Sequence, residues 1–436
     1  MNILITGGTS LLGRNFLFEA FRAYEKGENI KLFLLGRSSG DQTFKQRVIS
    51  ILSDECPVSL RDALSDILVY FNDDEFVNYF EYDLGEDELF DVSTRAQIMR
   101  IRFSHFLHIA SVSDFRADEV VVRKLNQVNV KGTDQMLTLC KDLNAKKFIY
   151  VSSAYVCGET FGEISPDYVN LEASFRNSYE RTKLQAEVNV RQFCKENRIN
   201  YLIYRPSIVS GRLIEPVLGL TYKFDIFYSC AALLLYAKNV IHSDLSIEEL
   251  LEIHLNIPMR AYYSNDSGLN IVPVDYVAKV MMHTILEDIY NRSIHLVNDE
   301  ETPHSLYIPL IEKAVNCSGV IRVDGDPSNK TIIEKMYYRS FGKMFTPYIT
   351  GKPMLFDKSN IEYVRLNCPK VDEERFNTLM EYAKSRKFGL SRSPDEADIV
   401  TMPEPPLSAI KAMAYRLGFK VKNLFDKRVL LDSEGK

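Results

Sequence analysis

Residues 3–15 read ILITGGTSLLGRN, and this stretch constrains the fold more than any other. A short apolar run ends directly in a glycine-rich loop, and LFEAFRAYEKG then follows with helical spacing up to Gly27. A strand that empties through closely spaced glycines into a helix is the setting of a phosphate cradle. Gly7 permits the tight turn and Gly13 allows helix and strand to approach closely. The first N–H groups of the helix, with the positive end of its dipole, face the anion. Ser10 stands where the usual fingerprint has its middle glycine. Serine is the mildest replacement, because its side chain is small and its hydroxyl can donate to a phosphate oxygen.

The remaining pattern extends this start into an α/β fold. KLFLLGR reads as a second strand, and the span 41–71 reads as helical. FVNYFEYDL, SHFLHIAS, KKFIYVSSAY and NYLIYRPS read as the third to sixth strands. Long helices fall at VVRKLNQVNVKGTDQMLTLCKDL and SYERTKLQAEVNVRQFCKEN. Strands of nearly continuous apolar character alternating with helices predict a doubly wound, mostly parallel, Rossmann-like sheet covered on both faces. The expected division is a dinucleotide-binding domain over 1–210, a substrate cap with returning Rossmann elements over 211–330, and a helical or mixed extension over 331–436. In the cap, an apolar helix near 224–239 carries Phe224, Phe227 and Tyr228. These rings read first as core packing and second as an apolar channel.

Bulk properties narrow the function classes. A net charge of −6 gives no basic field for nucleic acid. Seven scattered cysteines without a CxxC pair suit a reducing compartment, and the expected location is the cytoplasm. The chain passes from Met1-Asn2-Ile3 straight into strand pattern, which predicts no signal peptide there. Only twelve residues, Ile226 to Ala237, run without a charge, too few to span a bilayer. His105 and His108 lie three apart on one strand without a matched third ligand, so no metal site is expected. Cys157 lacks a nearby base and reads as packing. The basic, partly apolar segment from Lys411 to Arg428 reads as a solvated helix, with contact to anionic lipid or an acidic carrier as the lesser alternative. The sequence sets no oligomeric state.

Several side chains point to redox chemistry. The second strand ends LLGRSS, with Arg37 and Ser38 and no carboxylate before Asp41. A guanidinium forks onto phosphate, so this end favours a 2′-phosphate and hence NADP(H), with NAD(H) second. Asp83 could accept from an adenine amino group or simply cap a helix. Ala110 and Ser111 follow the fourth strand at its carboxyl end, where open α/β sheets place ligands. Tyr179 and Lys183 lie at i and i+4 on one helix face. The ammonium favours the phenolate of a group whose pKa is otherwise about 10. Ser152 and Ser153 end the fifth strand, where a hydroxyl can hold a substrate carbonyl oxygen. Asn129 could position a water or a lysine, or be a satisfied core amide.

With TGGTSLLG at 6–13, FLHIAS at 106–111, NVKGT at 129–133, VSSAYVCG at 151–158, YERTK at 179–183, YRPSIVSG at 204–211 and NIVPVDYVA at 270–278, the chain resembles the extended short-chain dehydrogenase/reductase superfamily. HIASVSDF, VSSAYVCGE, RPSIVSG and IVPVDYVA look most like its branch of fatty acyl-CoA reductases and carrier-bound thioester reductases. The resemblance implies Ser153, Tyr179 and Lys183 as catalytic residues with Asn129 in support. It implies a dinucleotide bordered by Thr6, Gly7, Thr9, Ser10, Leu11, Leu12 and Gly13, by Arg37 and Ser38, and by Asp83 and Leu84. Ala110, Ser111, Tyr179, Lys183, Pro206 and Ile208 complete that border. The implied function is NADPH-dependent reduction of an acyl thioester, on CoA or on an acyl or peptidyl carrier protein, to aldehyde or alcohol. The alternatives are a sugar-nucleotide epimerase or dehydratase and a non-catalytic dinucleotide-binding protein.

Overall fold

The computed structural model describes residues 1–82, Leu84, 89–242 and 244–390. Asp83 and the basic segment 411–428 lie outside the described residues. The chain begins with β1 (Asn2–Thr6), α1 (Leu11–Glu25), β2 (Lys31–Gly36), α2 (Phe44–Asp54), α3 (Leu64–Asn72), β3 (Val77–Glu81), α4 (Val92–Ile98) and β4 (His105–His108). The span 41–71 thus holds two α-helices with a 3-10 turn, Val58–Ala63, between them. Pro57 explains the break, since it disfavours helical backbone at Cys56 and lacks an N–H of its own. The long helix after β4 is α5 (Glu119–Leu125), a π-helical stretch over Asn126–Lys131, and α6 (Gly132–Asp142). Next come β5 (Lys147–Val151), β6 (Gly162–Ile164), α7 (Ser178–Asn197), β7 (Asn200–Pro206) and β8 (Ile208–Ser210).

The chain continues through α8 (Phe227–Ile241), α9 (Ile247–Glu252), β9 (Leu255–Tyr262), β10 (Gly268–Leu269), β11 (Ile271–Pro273), α10 (Val274–Leu286) and β12 (Arg292–Leu296). It then forms β13 (Thr302–Pro303), α11 (His304–Ala314), β14 (Cys317–Val323), α12 (Ile332–Arg339), α13 (Phe341–Ile349), β15 (Met354–Phe356) and α14 (Glu373–Ser385). Two compact units result. The first comprises 1–220, 270–300 and 354–370, and the second, among the described residues, 221–269, 301–353 and 371–390.

In the first unit seven strands form one parallel sheet in the order β12-β7-β5-β4-β1-β2-β3. Ile3, Leu4, Ile5, Phe106, Leu107, Phe148 and Ile149 have no exposed surface, as a sheet covered on both faces requires. The strand order reverses between β1 and β4, which opens a crevice at their carboxyl ends. Helix α7 is fastened to β7 by a fully buried ion pair, Glu187 with Arg205, at 2.6 and 3.1 Å. The same guanidinium donates to the Tyr168 carbonyl at 2.7 Å, so its charge and its donors are both matched.

The second unit pairs β9 with β14 and packs α8 around aromatic rings. Phe227 lies 4.2 Å from Tyr228 and 5.3 Å from Phe376 of α14, centroid to centroid. Phe224, Phe227 and Tyr228 are all buried, so the apolar stripe packs as core. The buried Lys238 ammonium donates to the carbonyls of Ile253 and Val315, which close α9 and α11. Among the described residues, no helix is long and apolar enough to cross a membrane.

Candidate active site

The glycine turn is built by backbone contact. Gly7 has φ +75°, and a Cβ there would meet the Ala110 nitrogen at 2.7 Å. A Cβ on Gly13 would meet the Gly7 carbonyl oxygen at 2.1 Å, so the turn folds back on the first helical residues. Arg14 braces it from behind, donating to the Thr9 carbonyl at 3.1 and 2.6 Å while pairing with Glu55. Ser10 serves as the helix N-cap: its Oγ accepts from the Gly13 N–H at 3.1 Å. That bond uses a lone pair and leaves the hydroxyl proton for another acceptor. Leu11 and Leu12 open α1, and both are buried. A cradle whose inner side is closed by backbone at Gly7 and Gly13 fits a pyrophosphate laid on the helix start.

A chain of hydrogen bonds runs from this turn to α7. Ala110 N–H donates to Thr6 Oγ1 at 3.3 Å, and Thr6 Oγ1 lies 2.7 Å from His108 Nδ1. His108 Nε2 lies 3.1 Å from Thr133 Oγ1, which donates to the Asn129 carbonyl at 2.7 Å. Since the Thr133 proton is committed, Nε2 carries the hydrogen and Nδ1 accepts from Thr6. Burial pushes the His108 imidazole down to about 3, which keeps it neutral, as this tautomer requires. The Asn129 side chain then clamps Val112, accepting from its N–H at 2.8 Å and donating to its carbonyl at 2.9 Å. Its Nδ2 also reaches Thr182 Oγ1 at 3.3 Å, and Thr182 donates to the Tyr179 carbonyl at 3.0 Å. Asn129 is therefore a satisfied amide in the π-helical stretch, tying the loop after β4 to α7.

Tyr179 is the second residue of α7, whose N-cap is Asn177. Tyr179 thus lies in the first helical turn, nearest the positive end of the helix dipole. Its ring packs edge-on against Phe115 at 5.4 Å and 67°. Lys183, one turn on, is buried; its Nζ donates to the Val151 carbonyl at 2.6 Å and lies 4.3 Å from the Tyr150 ring centroid. Desolvation brings the Lys183 ammonium down to about 7, with Glu187 opposing. Val151 is the last residue of β5 and Ser153 stands two residues beyond. Ser153 is extended, and its Oγ accepts from the Tyr155 N–H at 3.2 Å. Ser152 Oγ is buried beside it with no hydrogen-bond partner.

The remaining residues spread along the same sheet edge. Arg37 and Ser38 follow β2, and the Arg37 carbonyl accepts from Arg47 at 2.7 Å. Lys45, in the first turn of α2, donates to the Asn72 carbonyl at 3.0 Å. Ser38 Oγ donates to Glu81 and accepts from the Phe44 N–H at 3.2 Å. Glu81, the last residue of β3, thus supplies a carboxylate that the sequence around Arg37 does not contain. Leu84 packs where Gly132 has no side chain, and a Cβ there would meet its Cγ at 2.8 Å. Ser111 follows Ala110 in the loop after β4. Pro206 ends β7 and pairs with Leu296, while the Ile208 N–H donates to the Asn270 carbonyl at 3.1 Å.

Two other candidate side chains are buried and held in their neutral forms. The Cys157 thiol is buried, and burial pushes it up to about 12. His105 is likewise pushed down, to about 4. Among the described residues no group of three His, Cys, Asp or Glu side chains could hold a metal ion.

A strand-order reversal with a glycine cradle at its mouth, and a Tyr–Lys helix face at the neighbouring strand end, defines a dinucleotide-dependent oxidoreductase. The family model described as male sterility protein matches residues 5–281, and the chain belongs to that NAD-binding family of the extended short-chain dehydrogenase/reductase superfamily. No curated protein matches the chain. Among solved structures, the terminal R domain of the myxalamid PKS-NRPS pathway is similar at TM-score 0.63 and 19% identity, over 89% of this chain and 91% of that one. A thiolation-reductase di-domain from an archaeal non-ribosomal peptide synthetase follows at TM-score 0.58 and 17% identity, over 89% and 91%. UDP-glucuronic acid 4-epimerase from Bacillus cereus, in complex with NAD, is similar at 0.55 and 16%, over 88% and 97%. At these identities the likeness is one of fold.

Proposed function

We propose that the protein reduces an acyl thioester, carried on CoA or on an acyl or peptidyl carrier protein, with NADPH as the preferred reductant. The observation that carries the reading is the Lys183–Val151 hydrogen bond, which holds the Tyr179–Lys183 face of α7 at the strand end leading to Ser153. The likeness to a terminal R domain and to a thiolation-reductase di-domain supports a thioester as substrate. Arg37 and Ser38, with the turn from Thr6 to Gly13, would hold the dinucleotide, and Arg37 supports the phosphorylated form. When bound, that cofactor supplies the hydride for the carbonyl carbon.

The chain's own groups handle the oxygen. Ser153 Oγ–H and the Tyr179 phenol donate to the carbonyl oxygen, and Tyr179 gives up its proton as the tetrahedral centre forms. The helix dipole and the Lys183 charge lower the cost of the phenolate left behind. Collapse of the hemithioacetal returns the oxygen's proton to the Tyr179 phenolate and breaks the C–S bond, leaving an aldehyde and a thiolate that takes its proton from solvent. The same groups can serve a second reduction to the alcohol. Seven free cysteines suit a reducing, cytoplasmic setting.

A second reading has an observation of its own. The Glu81 carboxylate beside Ser38 suits an unphosphorylated ribose, as in an NAD-type epimerase or dehydratase acting on a sugar nucleotide. Mixing the protein with NADPH and panels of acyl-CoAs and nucleotide sugars separates the two. Loss of reduced-cofactor absorbance with acyl-CoA alone is the expected result. Conversion of a nucleotide sugar with no oxidation by any acyl thioester overturns it.

A further inference from the structure

Beyond Arg37, the strand register brings a second charged group to the exit of β2. β2 and β3 run parallel with Gly36 beside Glu81, so the two strands end together. Ser38 lies two residues past that point, and its hydroxyl donates to Glu81 Oε1. The donation has a fixed direction, because Ser38 Oγ already accepts from the Phe44 N–H at 3.2 Å. Phe44 itself is locked: its ring fills the space over Gly36, where a Cβ would lie 2.1 Å from Cε2. The first residue of α2 therefore orients the serine, and the serine orients the carboxylate. Glu81 and Ser38 are both exposed, so the group they present meets whatever docks at this strand end.

In this fold class the exit of the second strand is where the adenosine ribose is read, with a carboxylate accepting from its 2′-hydroxyl. We propose that Glu81 is a specificity-determining residue that opposes Arg37. It accepts from a free 2′-hydroxyl and repels a 2′-phosphate, so the pair leaves the protein only modestly selective between NADPH and NADH. The inference rests on the dinucleotide-binding reading of the glycine turn and deepens it. Its physical basis is a fixed negative charge at a water-exposed site, worth about fivefold to tenfold in affinity against a nearby dianion. The effect shrinks as salt rises through the physiological range.

Equilibrium binding of NADPH and of NADH to the full chain provides the test, read by cofactor fluorescence without a catalytic step. The chain has no tryptophan, so no indole emission overlaps that signal. Glu81→Gln keeps an acceptor for Ser38 and removes the charge. Its expected effect is a rise of about fivefold in the affinity ratio of NADPH over NADH, with Arg37→Ala moving the ratio the other way. Ser38→Ala, which releases the carboxylate without removing it, should shift the ratio by less than Glu81→Gln. An unchanged ratio in Glu81→Gln, with both cofactors still binding the wild type, overturns the role of Glu81 alone. Failure of the wild type to bind either cofactor overturns the underlying reading instead.

Discussion

Replacing Gly13 with alanine tests the cradle through a contact that can be sized. The new Cβ would sit 2.1 Å from the Gly7 carbonyl oxygen and 2.8 Å from the Gly8 Cα, both backbone atoms. Reaching 3.4 Å, the near edge of ordinary contact, requires the turn to retreat by more than an ångström. It cannot retreat freely, because Gly7 already lies against the Ala110 nitrogen and Arg14 grips the Thr9 carbonyl. Overpacking of this kind costs about 1–3 kcal/mol, and with no flexible side chain to give way the upper end applies. In a protein of 436 residues that is a loss of roughly 3 °C in melting temperature. The displaced turn should also lose at least about tenfold in NADPH affinity. Gly8→Ala is the matched control for stability: its Cβ would meet only Leu17 Cδ1, at 3.9 Å, and it should melt within about 1 kcal/mol of wild type. Scanning calorimetry and a cofactor titration read both effects. A Gly13→Ala protein that melts with the wild type and binds NADPH equally well would refute the cradle geometry.

Two further substitutions probe α7. Burial holds the Lys183 pKa near 7, below its unfolded value of 10.5, so between those values the unfolded chain binds more protons. The cost of burying the charge is full below about pH 7, and stability should rise with pH above it, by at most about 1.4 kcal/mol per pH unit. Lys183→Met should therefore lose turnover while gaining stability at pH 6, with a flatter pH–melting curve than wild type; a parallel curve counts against this. Thr182→Val removes the hydroxyl that joins Asn129 to the Tyr179 carbonyl. It should lower kcat by about threefold to tenfold and displace the pH profile, while cofactor affinity stays put. Thr182→Ser should restore both, and a valine variant with wild-type kcat and pH profile removes Thr182 from the positioning of Tyr179.

The sheet and the glycine turn were legible because they rest on local pattern: continuous apolar runs, a strand emptying into glycines, and a tyrosine and lysine one turn apart. The span 41–71 was legible as helical from its apolar spacing, and Pro57 within it marks where the helical run is interrupted. The π-helical stretch at Asn126–Lys131 has no comparable local signal, and the bonds of its Asn129 side chain to Val112 and Thr182 reach residues far away in the sequence. His108 offered a partial signal, being a polar residue closing an apolar strand. Its bonds to Thr6 and Thr133 depend on strand order and helix placement. Glu81 lies 44 residues from Arg37, and only the parallel register of β2 and β3 brings it to Ser38. The chain of bonds from Thr6 to Tyr179 is a property of the assembled first unit, and no window of sequence contains it.

The account stands on the phenol of Tyr179 acting at the carbonyl beside Ser153, and Tyr179→Phe isolates that oxygen. The deciding measurement is single-turnover oxidation of bound NADPH by an acyl thioester, compared between the variant and the wild type. The expected result is a rate at least about a hundredfold lower at unchanged NADPH affinity. Oxidation at the wild-type rate would contradict it.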